Sequence, residues 1–122
     1  MKVFLDDVRF GNQYDLGERW YDWVIVRTFE NCKLLLDTGV VTEMSLDYAL
    51  SDTDPHHTGE DVLQYILKKI GTGNFEPPYI TVHSKHSSAD RMHELVKEIK
   101  RSATTLVDIK MSRVVPTSYI KE

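Results

Sequence analysis

A single cysteine, Cys32, occurs among the 122 residues, so no internal disulfide can form. That fits a reducing compartment. Long apolar runs are also missing. Stretches such as residues 24–26 and 34–36 fall far short of the roughly 20 residues that span a bilayer. No secretory signal is expected, because Asp6 and Asp7 interrupt the first apolar run. The expected location is cytoplasmic. Basic charge is short as well: 15 Lys and Arg stand against 19 Asp and Glu, for a net charge of -4. Tracking a long nucleic-acid backbone needs a basic field, so that role is not expected. A local pocket for one phosphate is not excluded.

What remains is an average globular composition, 41% hydrophobic and 28% charged. Collagen-like, disordered and disulfide-scaffold classes are excluded on that basis. The length predicts one domain over residues 1–122, able to bury a core without staples.

Two apolar periods alternate along the chain. Short β-branched or apolar runs predict strands at 2–5, 23–26, 44–47, 79–82 and 106–111. Helical spacing predicts a helix from a Thr28 cap through Asp37, closed by Gly39. A second helix should run from Thr58 to about Ile70, with Glu60 and Asp61 in its first turn and Lys68 and Lys69 in its last. A third should start at Ser87 or Ser88 and reach about Arg101. Residues 11–21 lack a helical stripe, so the first crossover should be short or irregular. The extension over residues 102–122 has no readable role, and Pro116 breaks it. Alternating strands and helices predict an α/β fold with a doubly wound parallel sheet. A flavodoxin-like strand order, 2-1-3-4-5, would set the first and third strands side by side.

Ligands of such sheets bind beyond the carboxyl ends of the strands. The predicted strands end in Asp6-Asp7, with Arg9 just beyond, then Arg27-Thr28, Asp47 and His83-Ser84. Asp6, Asp7 and Asp47 would converge, and three carboxylates in one small site call for a cation. An all-oxygen set favours Mg²⁺. Arg9 and Arg27 would grip a phosphate through their planar forks. On this reading Arg27→Ala weakens phosphate binding and barely changes the melting temperature.

Other groupings carry less. His56, His57, His83, His86 and Cys32 have no zinc-binding spacing. Cys32 reads as core. Trp20, Tyr21 and Trp23 either stack a base or belong to the core.

The ordered set Leu5-Asp6-Asp7-Val8-Arg9, Trp23 with Val26-Arg27-Thr28, Ser45-Leu46-Asp47, Thr58-Gly59-Glu60-Asp61-Val62, Val82-His83-Ser84 and Met92 resembles the cyclic-phosphate processing receiver family. That family is related to the receiver domains of response regulators. The resemblance covers about residues 2–96. It implies a receiver-like fold and a Mg²⁺-dependent phosphoesterase acting on the cyclic phosphate of a nucleotide or RNA end, as in RNA repair. It implies Mg²⁺ on Asp6, Asp7 and Asp47, with Asp47 as nucleophile or as orienter of water. Ser84 would bond a phosphate oxygen. Arg9 and Arg27 would stabilise phosphoryl charge, and His83 would pass a proton to the departing alkoxide.

Two departures stand against the family pattern. His-Asp-Leu-Gly usually follows the aspartate, whereas Tyr48-Ala49-Leu50-Ser51 follow Asp47. His56 or His57 would have to supply the missing imidazole. An asparagine usually follows His-Ser, and here Lys85-His86 do. A noncatalytic module binding a phosphorylated nucleotide or a protein partner is therefore the alternative. A phospho-accepting signalling receiver is the third reading, with Lys110 or Lys85 as its lysine; neither is followed by the usual proline.

Overall fold

The computed structural model describes residues 1–11, 16–84 and 87–110, with side chains through Ala103. Four parallel strands form one sheet: β1 (Lys2–Leu5), β2 (Val24–Val26), β3 (Glu43–Leu46) and β4 (Tyr79–Val82), in the order β2-β1-β3-β4. Three helices accompany them: α1 (Phe29–Asp37), α2 (Gly59–Ile70) and α3 (Asp90–Lys110). The strand order is the expected one as far as it goes.

Local chemistry sets the helix starts. Thr28 has extended backbone, and its hydroxyl accepts from the Asn31 amide at 3.2 Å. Thr58 opens α2 with a capping box, in which the Asp61 carboxylate accepts from the Thr58 amide at 2.8 Å. Each cap of this kind stabilises a helix by about 1 kcal/mol. Gly39 sits at φ 78°, the left-handed backbone expected of it after α1.

One core cluster joins all three helices to the same face of the sheet. It contains Val3 and Leu5 of β1, Val26, Met44, Leu46 and Ile80, with Cys32 and Leu36, Leu63 and Ile66, and Leu95 and Ile99 from the helices. Side chains alternate along a strand, so Phe4, Ser45 and Thr81 face the other way. Phe4 and Ser45 are nonetheless buried, at 0% and 3% exposure. The β1–β2 connection lies over Phe4, because the backbone of Gly11 and the side chain of Leu16 come against its ring.

One expectation holds and one changes. The first crossover contains a short 3₁₀ turn, Trp20–Asp22, in keeping with its missing stripe. The fifth strand expected at 106–111 is not found: residues 106–110 continue α3, and Met111 lies outside the described residues. The stripe Met92, Leu95, Val96, Ile99 continues at helical spacing through Ala103 to Leu106 and Val107, and no Gly or Pro stops it. That continuity outweighs the β propensity of a short apolar run. Among the described residues no helix is long and apolar enough to cross a membrane.

Candidate active site

The strands end in register. Leu5 pairs with Val26 on one side and Leu46 on the other, and Leu46 pairs with Val82. The next residue of each strand therefore lies on one row across the sheet: Arg27, Asp6, Asp47, His83. Backbone bonds extend the ladder to this row, from Asp6 N to Val26 O, Asp47 N to Leu5 O and His83 N to Leu46 O, at 3.2, 2.9 and 2.9 Å. Alternation puts all four side chains on the Phe4 face, away from the helices. One carboxylate oxygen or imidazole nitrogen each from Asp6, Asp47 and His83 lie within 4.8 Å of one another.

Asp6 is fully buried and well supplied with donors. Its Oδ1 accepts from the amides of Val8 and Arg9 at 3.0 and 2.9 Å. Its Oδ2 receives Arg9 Nε at 2.9 Å and faces His83 Nε2 at 3.0 Å. Burial alone would push its pKa up. The two amides, His83 and the Arg9 charge outweigh that, and the carboxyl is held below its usual range. Asp6 is therefore ionised.

Asp47 is different. It is 9% exposed, and its Oδ1 accepts the amide of Tyr48 at 2.8 Å. Among the described residues no hydrogen bond reaches its Oδ2. Burial, and then the nearby Asp6 charge, push its pKa up. A largely buried carboxylate with a like charge beside it is stabilised by a proton or a cation.

His83 crosses β3 to reach Asp6. Ser45, one side-chain step before Asp47 on the same face of β3 and paired with Phe4 and Thr81, is small enough to let the imidazole pass over it. The ring stacks on Phe4, with centroids 4.5 Å apart and planes 3° from parallel. Its Nδ1 lies 2.8 Å from Ser45 Oγ. Burial depresses the His83 pKa, partly offset by Asp6, so the ring is neutral at pH 7. Neither Ser45 nor Phe4 stands out as a site residue in the sequence. The one available signal was a serine inside an apolar strand, on the side-chain phase that leads to Asp47.

The remaining expected residues separate. Asp7 is turned toward the loop after β3, where its Oδ2 accepts from the Asp52 amide at 3.1 Å. It is not part of the Asp6, Asp47, His83 group. Arg27 Nη1 donates to the carbonyls of Asp6 and Arg9 at 2.9 and 2.6 Å, so it clasps the backbone beneath the site. Its guanidinium lies 4.6 Å from the ring centroid of Phe10, a side chain 71% exposed. Ser84 follows His83 at the strand end and is partly buried. Trp23 is core, whereas Trp20 and Tyr21 are exposed ahead of β2, at the opposite edge of the sheet. His57 does not replace the missing imidazole: its Nδ1 is 2.9 Å from Asp54 and its ring stacks on Phe29. His56 is exposed. Lys85 and His86 lie outside the described residues, and Lys110 is the last residue of α3. Cys32 is buried core, its thiol pushed up to about 12 by burial.

Gly59 supports the row from below. A Cβ there would lie 1.9 Å from the Asp47 carbonyl oxygen and 2.7 Å from Met92 Cε. Only glycine lets the first turn of α2 rest on the Asp47 backbone, where Gly59 N donates to Tyr48 O at 2.8 Å.

The family model of the cyclic-phosphate processing receiver domain matches residues 1–98. No curated protein and no solved structure matches the chain.

Proposed function

Because the chain belongs to the cyclic-phosphate processing receiver family, we propose that its strand-end row is a cation-assisted phosphoesterase site for the cyclic phosphate of a nucleotide or RNA end. The observation that carries this reading is the alignment of Arg27, Asp6, Asp47 and His83 on one rung, with Asp47 short of donors. A divalent cation fits the donor set of Asp6, Asp47 and His83. Mg²⁺ is the ion the acidic motif suggests; when bound, a cation offsets charge on phosphoryl oxygens and orients water. Asp47 holds that cation or attacks the phosphorus. Arg9, half-exposed at the rim, and Ser84 meet the phosphate oxygens. Asp7 steadies the neighbouring loop. His83, being neutral, suits holding a cation or accepting a proton better than donating one.

Phe10 favours a nucleotide over a bare phosphate ester. Its exposed ring, backed by Arg27, offers a face on which a base can stack. Cytoplasmic RNA ends are the natural source of such termini.

One observation favours a second reading. With Tyr48 and Ala49 after Asp47, and His57 committed to Asp54, no further imidazole or carboxylate reaches the row among the described residues. A noncatalytic module holding a phosphorylated nucleotide would have this composition. Incubation with 2′,3′-cyclic nucleotides and Mg²⁺ or Mn²⁺ separates the two. The phosphoesterase reading expects a nucleoside monophosphate, lost in Asp47→Asn. Tight binding with no product under either ion would establish the second reading instead.

A further inference from the structure

His83 is held as a metal-ligating histidine is held. Its ring is fixed by stacking on Phe4, and Ser45 Oγ meets Nδ1 at 2.8 Å from a buried position. Nε2 is thereby aimed at the carboxylates of Asp6 and Asp47. Metal-bound histidines almost always give their other ring N–H to a fixed partner, which sets tautomer and orientation. Asp47 brings the second carboxylate to that nitrogen: one ligand atom each from Asp6, Asp47 and His83 lie within 4.8 Å of one another. Asp7, which would complete an all-oxygen set, is engaged with the Asp52 amide.

Taking the cation site of the proposed function as its starting point, we propose that His83 Nε2 ligates the ion beside Asp6 and Asp47, with Ser45 as a positioning residue. The ion is then a divalent transition metal such as Mn²⁺ or Zn²⁺ in preference to Mg²⁺. Imidazole nitrogen suits transition ions, whereas Mg²⁺ prefers oxygen and water.

The protons balance. Asp6 already accepts from two amides and from Arg9 Nε, the pattern of an acceptor carboxylate, so in the metal-free protein Nε2 is placed to donate the imidazole proton to Asp6 Oδ2. Nδ1 then accepts the Ser45 hydroxyl. With a cation held at Nε2, the ring proton would reside on Nδ1, reached through solvent, and would be donated to Ser45 Oγ, so the ring would stay neutral. Serine serves both states because a hydroxyl both donates and accepts.

The test uses the full chain loaded with Mn²⁺ and read by electron spin-echo spectroscopy. Nitrogen modulation from one directly bound imidazole is expected in the unsubstituted protein. It should vanish in His83→Asn, with Mn²⁺ affinity down 10-fold or more while weak Mg²⁺ affinity stays within about twofold. Ser45→Ala should keep the nitrogen signal and weaken Mn²⁺ by roughly 10- to 100-fold, the usual size of such supporting contacts. Absence of nitrogen modulation in Mn²⁺-loaded protein, or no Mn²⁺ binding at all, overturns the proposal whether or not the variants fold. Equal loss of both ions in folded His83→Asn also overturns it. Turnover is scored separately. A nitrogen signal without hydrolysis sinks the phosphoesterase reading alone, and hydrolysis without a nitrogen signal sinks the ligand assignment alone.

Discussion

Gly59 lies so close to Asp47 that a methyl group on its α-carbon would fall 1.9 Å from the Asp47 carbonyl oxygen. The start of α2 and the end of β3 are thus packed backbone to backbone, and the site aspartate is set by that contact. Gly59→Ala should destabilise the fold by at least the roughly 1–3 kcal/mol of an overpacked core, because the obstructing atom is main chain and cannot swing away. Urea denaturation reads this directly. A variant as stable as the parent would show that α2 does not bear on Asp47.

Asp47 should cost the metal-free protein stability. Burial and the Asp6 charge raise its pKa in the folded state. The folded state then holds this proton more tightly than the unfolded one, so stability falls as pH rises from the unfolded value through the raised one. Asp47→Asn removes the penalty and keeps an acceptor for the Tyr48 amide. Its melting temperature at pH 7 should exceed the parent's, by roughly 4 °C for each kcal/mol relieved in a domain this size. The gain should shrink toward pH 3. Scanning calorimetry across that pH range checks it, and an equal or lower melting temperature at pH 7 contradicts it.

Arg27 and Arg9 should part company. Arg27 Nη1 donates to two carbonyls, whereas the Arg9 side chain is 47% exposed. Arg27→Ala should therefore lose about 1–2 kcal/mol of folding stability, in line with charge-assisted bonds to partly buried acceptors. Arg9→Ala should lose less than Arg27→Ala, because the amides of Val8 and Arg9 and the His83 ring still serve Asp6. This revises the expectation, drawn from sequence, that Arg27→Ala leaves stability almost untouched. Phe10→Ala should weaken a nucleoside monophosphate by about 1–3 kcal/mol, the usual worth of one stacked base, and leave inorganic phosphate unchanged. Calorimetric titration with the two ligands separates the effects.

The loop between β3 and α2 carries its own pH dependence. Asp54 Oδ2 accepts from the Phe29 amide at the start of α1, and its Oδ1 meets His57. The hydrogen bond to Asp54 raises the His57 pKa. Its stabilising effect is complete below the unfolded value of about 6.5 and disappears as pH rises through the folded value. His83, with a depressed pKa, works in the opposite sense. The comparison is therefore between parent and His57→Gln. Their melting temperatures should differ most near pH 5.5 and converge above pH 8. A constant difference across that range would remove His57 from the linkage.

Much of this could be read in the sequence. Caps at Thr28 and Thr58, the helical stripes and the short β-branched runs are local signals, and they fixed six of the elements to within a residue or two. The strand-end position of Asp6, Arg27, Asp47 and His83 followed from the same reading. What was hidden depends on pairing across strands. Nothing local says that His83 folds back over Ser45 onto Phe4, or that Asp7 turns to the Asp52 amide, because both depend on which strand lies beside which. The extended α3 was hidden for a different reason: over 106–111, Val107, Ile109 and Met111 alternate with Asp108 and Lys110 as in a strand, and the helical reading wins only when the preceding stripe is followed across it.

The most direct measurement is diffraction at the manganese absorption edge from crystals soaked with Mn²⁺ and a nucleoside 3′-phosphate. The account predicts one anomalous peak within ligand distance of Asp6, Asp47 and His83, with the phosphate against it and the base on Phe10. A peak elsewhere, or a row left empty while phosphate binds at another place, would contradict it.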